Sequence, residues 1–312
     1  MANMKVEYIP IARRLDGSYI QLTKMTVGSG SPRLFLGASI HGDELTPIAV
    51  LWRLVEYLKV AEVRGSLIML MGMNPEGIAF GTRYEPYFKL DINRVYPGSG
   101  DGILPRRIAN VVFEIARESD VAVDIHTSGD CIPYILVDPV GGEIRERIME
   151  YAGSMGVTVL DEYEEEQYRA ERLGESLPPK LIEENVPAFT LELPGGVNID
   201  WTGVNVGYKA IINLMVKLGM VDTSPVSIDE YPVIGEKGYR RHDVRSSSAG
   251  IIEPYVKLGE YVEKFTPLGV IRDLRGVILE WVRCEKSGYV VAMPRRSVVY
   301  PADRVFLMAV KD

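Results

Sequence analysis

The stretch that decides the fold of the first part of the chain is Arg33-Leu-Phe-Leu-Gly-Ala-Ser-Ile-His41-Gly-Asp-Glu44-Leu-Thr-Pro47. Its apolar run, residues 34–40, predicts a buried strand, and Thr46-Pro47 offers an N-cap and a first-turn proline for a helix that runs to about Lys59. The segment therefore predicts a strand, a tight loop and a helix. Open α/β sheets place their sites at the carboxyl ends of strands, and this loop presents an imidazole and a carboxylate that can bind one metal ion.

The alternation of strand and helix continues to about residue 221. Apolar runs predict strands at residues 66–73, 121–127, 134–137, 157–160 and 189–193, and helical spacing of apolar residues predicts helices at 105–118, 143–155 and 203–219. This order predicts an α/β fold with a mainly parallel or mixed sheet and helices on both faces.

Two segments show no such pattern. Residues 76–101 predict a loop whose length makes it a candidate functional segment, and this loop contains Arg83 and Asp91-Ile-Asn93-Arg94. Residues 161–180 are charged and begin with an acidic run, which predicts a solvated loop, with a substrate lid as the alternative.

Beyond Val221 the chain changes to short runs of Val, Ile and Tyr between Gly and Pro turns. We therefore predict two domains, residues 1–221 and residues 222–312, the second a small all-β barrel or sandwich resembling the biotinyl/lipoyl fold. It has no lysine in a Met-Lys-Met type of hairpin, so we expect no carrier role.

Composition limits the class of partner. The 312 residues are 46% hydrophobic and carry a net charge of −8, so the chain has no basic footprint and we do not expect nucleic acid as a partner. No apolar stretch approaches the ~20 residues that span a bilayer, and residues 1–14 lack the apolar core of a signal peptide. The only cysteines, Cys131 and Cys284, fit a reducing compartment. We predict a cytoplasmic protein with a small-molecule substrate and leave a homo-oligomer open.

Two of the three histidines lie at predicted strand ends, and with a nearby carboxylate they suggest a metal site. His41, Glu44 and His126 form a set suited to catalytic zinc, which keeps one coordination position open for water. The alternative is that His126 is a hydrogen-bonded core histidine and His41 a surface loop residue.

Two further carboxylates lie near strand ends. Asp124 is two residues before His126 and shares its face of the strand, where it can orient the imidazole or serve as a structural acceptor. Glu192 lies in an otherwise apolar strand and is the candidate general base, with an ion pair to a core arginine as the alternative.

The long loop supplies two arginines. A guanidinium can stabilise a developing oxyanion or bind a substrate carboxylate through two parallel hydrogen bonds, which makes Arg83 and Arg94 candidates, with Asn93 as an additional donor. The alternative is that both arginines are solvated loop residues.

Together and in this order, five motifs resemble the succinylglutamate desuccinylase/aspartoacylase family, a branch of the zinc carboxypeptidase superfamily. They are His41-Gly-Asp-Glu44, Asn74-Pro75 through Arg83, Asp91-Ile-Asn93-Arg94, Asp124-Ile-His126 and Leu191-Glu192. The resemblance covers about residues 30 to 220 and implies a zinc carboxypeptidase-like fold, and the family also carries a C-terminal β domain of this kind.

The resemblance implies roles for these residues. His41, Glu44 and His126 would bind one zinc ion per chain, and Glu192 would act first as base and then as acid. Arg83 would polarise the scissile carbonyl, while Asn93 and Arg94 would hold a substrate carboxylate. The tyrosine and arginine that aspartoacylases place before the catalytic glutamate have no counterpart, since Pro178 and Ile182 lie there.

These roles predict a zinc-dependent amidohydrolase, a deacylase that cleaves the amide bond of an N-acyl amino acid or a related small N-acylated amine. Two alternatives remain at this point: a metallocarboxypeptidase acting on short peptides, and a catalytically silent binding protein of the same fold.

Overall fold

The computed structural model describes residues 4–235 and 237–311. Residues 1–3 lie outside the described residues. The prediction that residues 1–14 are not a signal peptide therefore falls partly outside them. Among the described helices, none combines the length and the apolar character needed to cross a bilayer.

The first part of the chain alternates strands and helices. The strands are β1 (Met4–Arg13), β2 (Tyr19–Ser29), β3 (Arg33–Ala38), β4 (Gly65–Met71), β5 (Val121–Thr127), β6 (Tyr134–Val137), β7 (Thr158–Asp161) and β8 (Ala188–Leu193). The helices are α1 (Thr46–Leu58), α2 (Pro75–Phe80), α3 (Leu104–Ala116), α4 (Gly142–Ser154), α5 (Glu165–Ala170), α6 (Leu177–Glu183) and α7 (Trp201–Lys217), with 3₁₀ turns at Ile92–Arg94 and Leu173–Glu175.

The last part consists of strands: β9 (Arg240–Arg245), β10 (Gly250–Pro254), β11 (Tyr261–Val262), β12 (Pro267–Arg272), β13 (Ile278–Arg283), β14 (Gly288–Ala292), β15 (Val298–Val299) and β16 (Arg304–Val310). No helix occurs in the described residues after 217.

A single twelve-stranded sheet runs through both parts, in the order β1-β2-β4-β3-β5-β8-β6-β7-β9-β16-β14-β11. Its centre, β4-β3-β5-β8, is parallel, whereas β2 pairs antiparallel with β1 and β4, and β6 pairs antiparallel with β8 and parallel with β7. The predicted mixed sheet is confirmed. Because side chains alternate along a strand, Leu34 and Leu36 pack with α1, α4 and α7 on one face, whereas Phe35 packs with α3 and α6 on the other.

Strand β9 joins the C-terminal strands to the central sheet. It pairs parallel with β7 at Asp161 and Arg240 and antiparallel with β16. A second sheet, β13-β12-β10-β15, faces this end of the large sheet across an apolar cluster that includes Leu268, Ile271 and Phe306. The division into domains at residue 221 stays a prediction.

Three expectations about local structure were wrong. The predicted loop at 76–101 contains α2, whose Asn74 side chain accepts a hydrogen bond from the Gly77 amide at 2.9 Å. The predicted solvated loop at 161–180 contains α5 and the start of α6. These helices have only six or seven residues, too few to show helical periodicity. Thr46 is the first residue of α1 and not its N-cap, and its hydroxyl accepts a hydrogen bond from the Asp200 amide at 3.1 Å.

Candidate active site

Three side chains converge at the carboxyl edge of two neighbouring parallel strands. His41 and Glu44 lie in the loop after β3, and His126 is the second-last residue of β5. The Nδ1 atoms of His41 and His126 lie 3.0 Å from Oε1 and Oε2 of Glu44 respectively, and 3.1 Å from each other. All three residues are buried.

The arrangement fits a divalent cation. Two ring nitrogens that face each other and a carboxylate are a donor set, and two imidazoles with one carboxylate are typical ligands of catalytic zinc. Burial opposes the charge on Glu44, but the two imidazoles outweigh it and hold the pKa of this carboxyl well below its usual range. A carboxylate kept ionised among imidazoles is ready to bind a metal ion.

Each imidazole turns its other nitrogen towards a further carboxylate. His126 Nε2 lies 2.9 Å from Oδ2 of Asp124, which is buried on the same face of β5, and His41 Nε2 lies 3.3 Å from Oδ1 of Asp91. The hydrogen bond to Asp124 fixes the tautomer and the ring orientation of His126, so that its Nδ1 atom is free for a metal. Nε2 of His41 lies near Asp91 but has no hydrogen-bond partner among the described residues. Sequence reasoning assigned no role to Asp91, although it begins the motif that contains Asn93 and Arg94.

Glu192 lies beside this cluster, since β8 pairs with β5 and places it opposite His126. Its Oε2 is buried and has no hydrogen-bond partner, and within the described residues no arginine or lysine forms an ion pair with it. The alternative of a structural ion pair therefore has no support in the described contacts. An unpartnered carboxylate next to a donor set can accept a proton from water.

The guanidinium of Arg83 lies beside His41 and Glu44. Its Nη2 donates to Oδ2 of Asp91 at 3.0 Å, and its Nη1 lies 3.3 Å from Nδ1 of His41 and 3.8 Å from Oε1 of Glu44. Arg83 is therefore not a freely solvated loop residue. A guanidinium beside such a donor set can donate hydrogen bonds to an oxygen atom bound there.

Arg94 and Asn93 lie on the 3₁₀ turn that follows. Nε of Arg94 donates to the carbonyl oxygen of Glu171 at 2.9 Å, and the side-chain oxygen of Asn93 accepts from the Leu177 amide at 3.2 Å. The side-chain nitrogen of Asn93 is then its remaining donor. Both residues line the cavity described below.

The loop that contains His41 packs directly against helix α2, which precedes Arg83. Gly42 approaches Gly77 so closely that an added Cβ would lie 1.9 Å from the Gly77 carbonyl carbon. Only glycine fits at position 42, because the obstacle is backbone and cannot turn away.

Seven of the eight predicted site residues line a cavity of about 680 Å³; the eighth, Asp124, lies behind His126. We call the part around His41, Glu44, His126 and Glu192 the metal end. The distal end is formed by side chains from the end of β6, the segment 161–183 and β9, namely Asp138, Glu162, Glu171, Arg241 and Asp243. The acidic segment 161–180 is thus one wall of the cavity.

The C-terminal strands and loops also reach the cavity. Nη2 of Arg295 donates to the Thr127 carbonyl at 2.8 Å and lies 3.5 Å from Oε1 of Glu44, while Nη2 of Arg304 donates to the Ser128 hydroxyl at 3.0 Å. Sequence reasoning missed both, because no spacing or motif links them to the strand ends. The third histidine, His242, is not among the residues that line this cavity.

Comparison with known proteins identified relatives over most of the chain. A sequence model of the succinylglutamate desuccinylase/aspartoacylase catalytic domain matches residues 30–217. The N-alpha-acetyl-L-2,4-diaminobutyric acid deacetylase of Halomonas elongata is 27% identical over 301 residues, which cover 93% of this chain and 85% of the relative.

Solved structures share the fold along the whole chain. A succinylglutamate desuccinylase/aspartoacylase from Rhodobacter sphaeroides is 22% identical with a TM-score of 0.82, and the match covers 99% of this chain and 95% of that one. The product-bound ectoine utilization protein EutE (DoeB) from Ruegeria pomeroyi is 19% identical with a TM-score of 0.83 and the same coverage. At these identities the likeness shows the fold alone.

Proposed function

Because the chain belongs to the succinylglutamate desuccinylase/aspartoacylase family, we propose that it is a zinc-dependent amidohydrolase that removes the acyl group from an N-acyl amino acid or a related small N-acylated amine. The observation that carries the proposal is the convergence of His41, Glu44 and His126 beside the unpartnered carboxylate of Glu192 in one cavity. The similarity to a deacetylase over most of both chains supports it.

His41, Glu44 and His126 are the residues that would hold the zinc ion. Zinc bound there would lower the pKa of water and polarise the substrate carbonyl. Asp124 holds the imidazole of His126 in orientation through its Nε2 atom, and Asp91 lies 3.3 Å from Nε2 of His41.

The proton is handled by Glu192. Its carboxylate accepts a proton from the attacking water as the carbon–oxygen bond forms, and it delivers that proton to the leaving nitrogen as the carbon–nitrogen bond breaks. The products are a carboxylate and a free amine. Arg83 donates hydrogen bonds to the carbonyl oxygen as negative charge develops on it.

Substrate binding falls to Asn93 and Arg94. A guanidinium and an amide nitrogen on one turn suit a carboxylate, which N-acyl amino acids carry next to the scissile amide. The same contacts would serve a carboxypeptidase, but the named activity of the deacetylase relative favours the deacylase. A cytoplasmic location and a homo-oligomeric state stay predictions from the sequence.

The test is a direct assay. The purified, zinc-loaded full chain is incubated with N-acetyl and N-succinyl amino acids and with dipeptides, and the release of free amine is measured. We expect hydrolysis of N-acyl amino acids that Glu192→Gln suppresses. Cleavage of dipeptides alone would show a carboxypeptidase, and no hydrolysis of either set by a zinc-loaded protein would contradict an enzymatic function for these amides.

A further inference from the structure

The distal end of the cavity contains a carboxylate that the proposed chemistry does not use. Asp138 follows β6 directly, is only 9% exposed and lines the cavity. A buried carboxylate in a cavity needs an explanation, because burial without a partner is costly for a charged group.

Among the described side chains, the hydroxyl of Tyr168 on α5 is the hydrogen-bond partner of Asp138, donating to Oδ1 at 2.6 Å. The other carboxylates of the distal end each contact an arginine. Glu162 lies 3.2 Å from Arg241, Asp243 lies 3.2 Å from the same arginine, and Glu171 lies 2.7 Å from Arg245. Within the described residues, Asp138 alone among these acids has no cationic partner at ion-pair distance.

The pKa of Asp138 reflects the same lack of a close cationic partner. Burial raises the pKa of Asp138 to about 7, the Tyr168 hydrogen bond acts against this rise, and the nearby charge of Glu162 adds to it. A cation placed beside Asp138 would stabilise the ionised carboxylate. A cationic ligand would therefore stabilise the buried carboxylate of Asp138.

The strand register gives the reach of such a ligand. Tyr134 of β6 lies opposite Glu192 of β8, and Asp138 is four residues further along the chain, ~13 Å at the rise of an extended strand. The side chains of Asp138 and Glu192 close part of that distance. A molecule cleaved beside Glu192 therefore needs several more atoms to reach Asp138.

Arg94 lines the cavity and contacts its distal end, where its Nε donates to the carbonyl oxygen of Glu171 at 2.9 Å. The charges of Asp91 and Glu171 act on the pKa of Arg94, and the charge of Arg94 acts on the pKa of Asp138. A substrate with its scissile amide at the metal end and its carboxylate at Arg94 would extend its side chain towards the distal end.

We propose that Asp138 is a specificity-determining residue that binds an ammonium group at the end of the substrate side chain. The substrate class is then Nα-acylated diamino acids whose side chain ends in a primary amine. This inference rests on the proposed deacylase function and adds to it the charge and length of the amino acid that is released.

The experiment compares two matched substrates. Nα-acetyl-L-lysine and Nα-acetyl-L-norleucine differ in the terminal amine, and shorter Nα-acetyl diamino acids test the reach. For the zinc-loaded full chain we expect kcat/KM for the lysine derivative to exceed that for the norleucine derivative by about tenfold to a hundredfold, as a hydrogen-bonded charge pair allows. Asp138→Asn should bring this ratio close to one.

Glu146→Gln is the matched control. Glu146 is an exposed residue of α4 outside the cavity, so this change removes one carboxylate without altering the distal end, and the ratio should stay that of the wild type. A general loss of stability in Asp138→Asn lowers both rates together and does not change their ratio.

The outcomes separate the two proposals. Hydrolysis of the norleucine derivative as fast as the lysine derivative by the wild type would overturn the role of Asp138 and leave the deacylase intact. No hydrolysis of any Nα-acyl amino acid would contradict the deacylase itself. If Asp138→Asn does not fold, product inhibition of the wild type decides: L-lysine should inhibit more strongly than L-norleucine, and equal inhibition would overturn the inference.

Discussion

The metal end and the distal end of the cavity are built from the chain in different ways. At the metal end, His126 and Glu192 lie at the carboxyl ends of the neighbouring strands β5 and β8, and His41 and Glu44 lie in the loop after β3, the other neighbour of β5. At the distal end, the side chains come from the short strand β6, the segment 161–183 and β9. In the proposed mechanism, the reaction therefore depends on the central sheet, whereas substrate choice depends on the elements packed around it.

The sharpest test of the metal end is His126→Ala. This change removes one of three predicted ligands, so we expect the zinc content to fall from about one ion per chain to near zero and hydrolysis to stop. Elemental analysis of the purified protein measures the first and the amide assay the second. A His126→Ala protein with its full zinc content would show that the site is not the one described here.

Glu192→Gln should separate chemistry from metal binding. The amide cannot accept the proton of the attacking water, so turnover should fall by ~10²- to 10⁴-fold, as expected for the loss of general acid and base catalysis. Zinc content and melting temperature should stay near those of the wild type, because the ligands are untouched. A stable, zinc-loaded and fully active variant would defeat the mechanism.

Substitution of the two arginines should affect different kinetic parameters. Arg83→Ala removes a donor to the developing oxyanion and should lower kcat by ~10²- to 10³-fold. Arg94→Ala removes a contact made in ground and transition states alike, so it should mainly raise KM. Steady-state kinetics measures both, and equal effects on kcat and KM in the two variants would remove this division of labour.

The smallest expected effect is a pH dependence of the substrate preference that the distal end sets. Since burial raises the pKa of Asp138 to about 7, its carboxyl is mostly neutral at pH 6 and mostly ionised at pH 8. Only the ionised form attracts an ammonium group, so the lysine-to-norleucine ratio of kcat/KM should rise several-fold over this range.

The groups that face Asp138 set the control for this experiment. They are Tyr168, Glu162 and Arg94, and burial also raises the pKa of Glu162. In Asp138→Asn the ratio should be independent of pH, which separates the titration of Asp138 from that of Glu162. A ratio that rises with pH equally in both proteins would assign the effect to another group.

The metal end could be predicted because strand periodicity and polar residues at strand ends are both visible in a single sequence. His41, Glu44, His126 and Glu192 each interrupt or follow an apolar run, and the structure brings all four together. Asp138 also follows an apolar run, but an aspartate after a strand is ordinary in a turn. Its special character is the lack of a cationic partner, which only the folded chain reveals.

Other elements were missed for reasons of size and pattern. The hairpin of β1 and β2 has many half-exposed residues, so its apolar alternation is weak. Helix α2 has six residues and is recognisable mainly through the capping contact of Asn74. Arg295 and Arg304 reach the cavity from strands and loops more than 160 residues after β5, and no local signal connects them to it.

The contact between Gly42 and Gly77 couples two parts of the site mechanically. One backbone segment carries the ligands His41 and Glu44, the other leads through α2 to Arg83, and no side chain separates them. A shift of either segment towards the other is blocked, so the spacing between the loop of His41 and Glu44 and the segment that leads to Arg83 is set by backbone contact. In the proposed mechanism, substitutions in the distal end could therefore change the substrate while the spacing between the zinc ligands and Arg83 stayed the same.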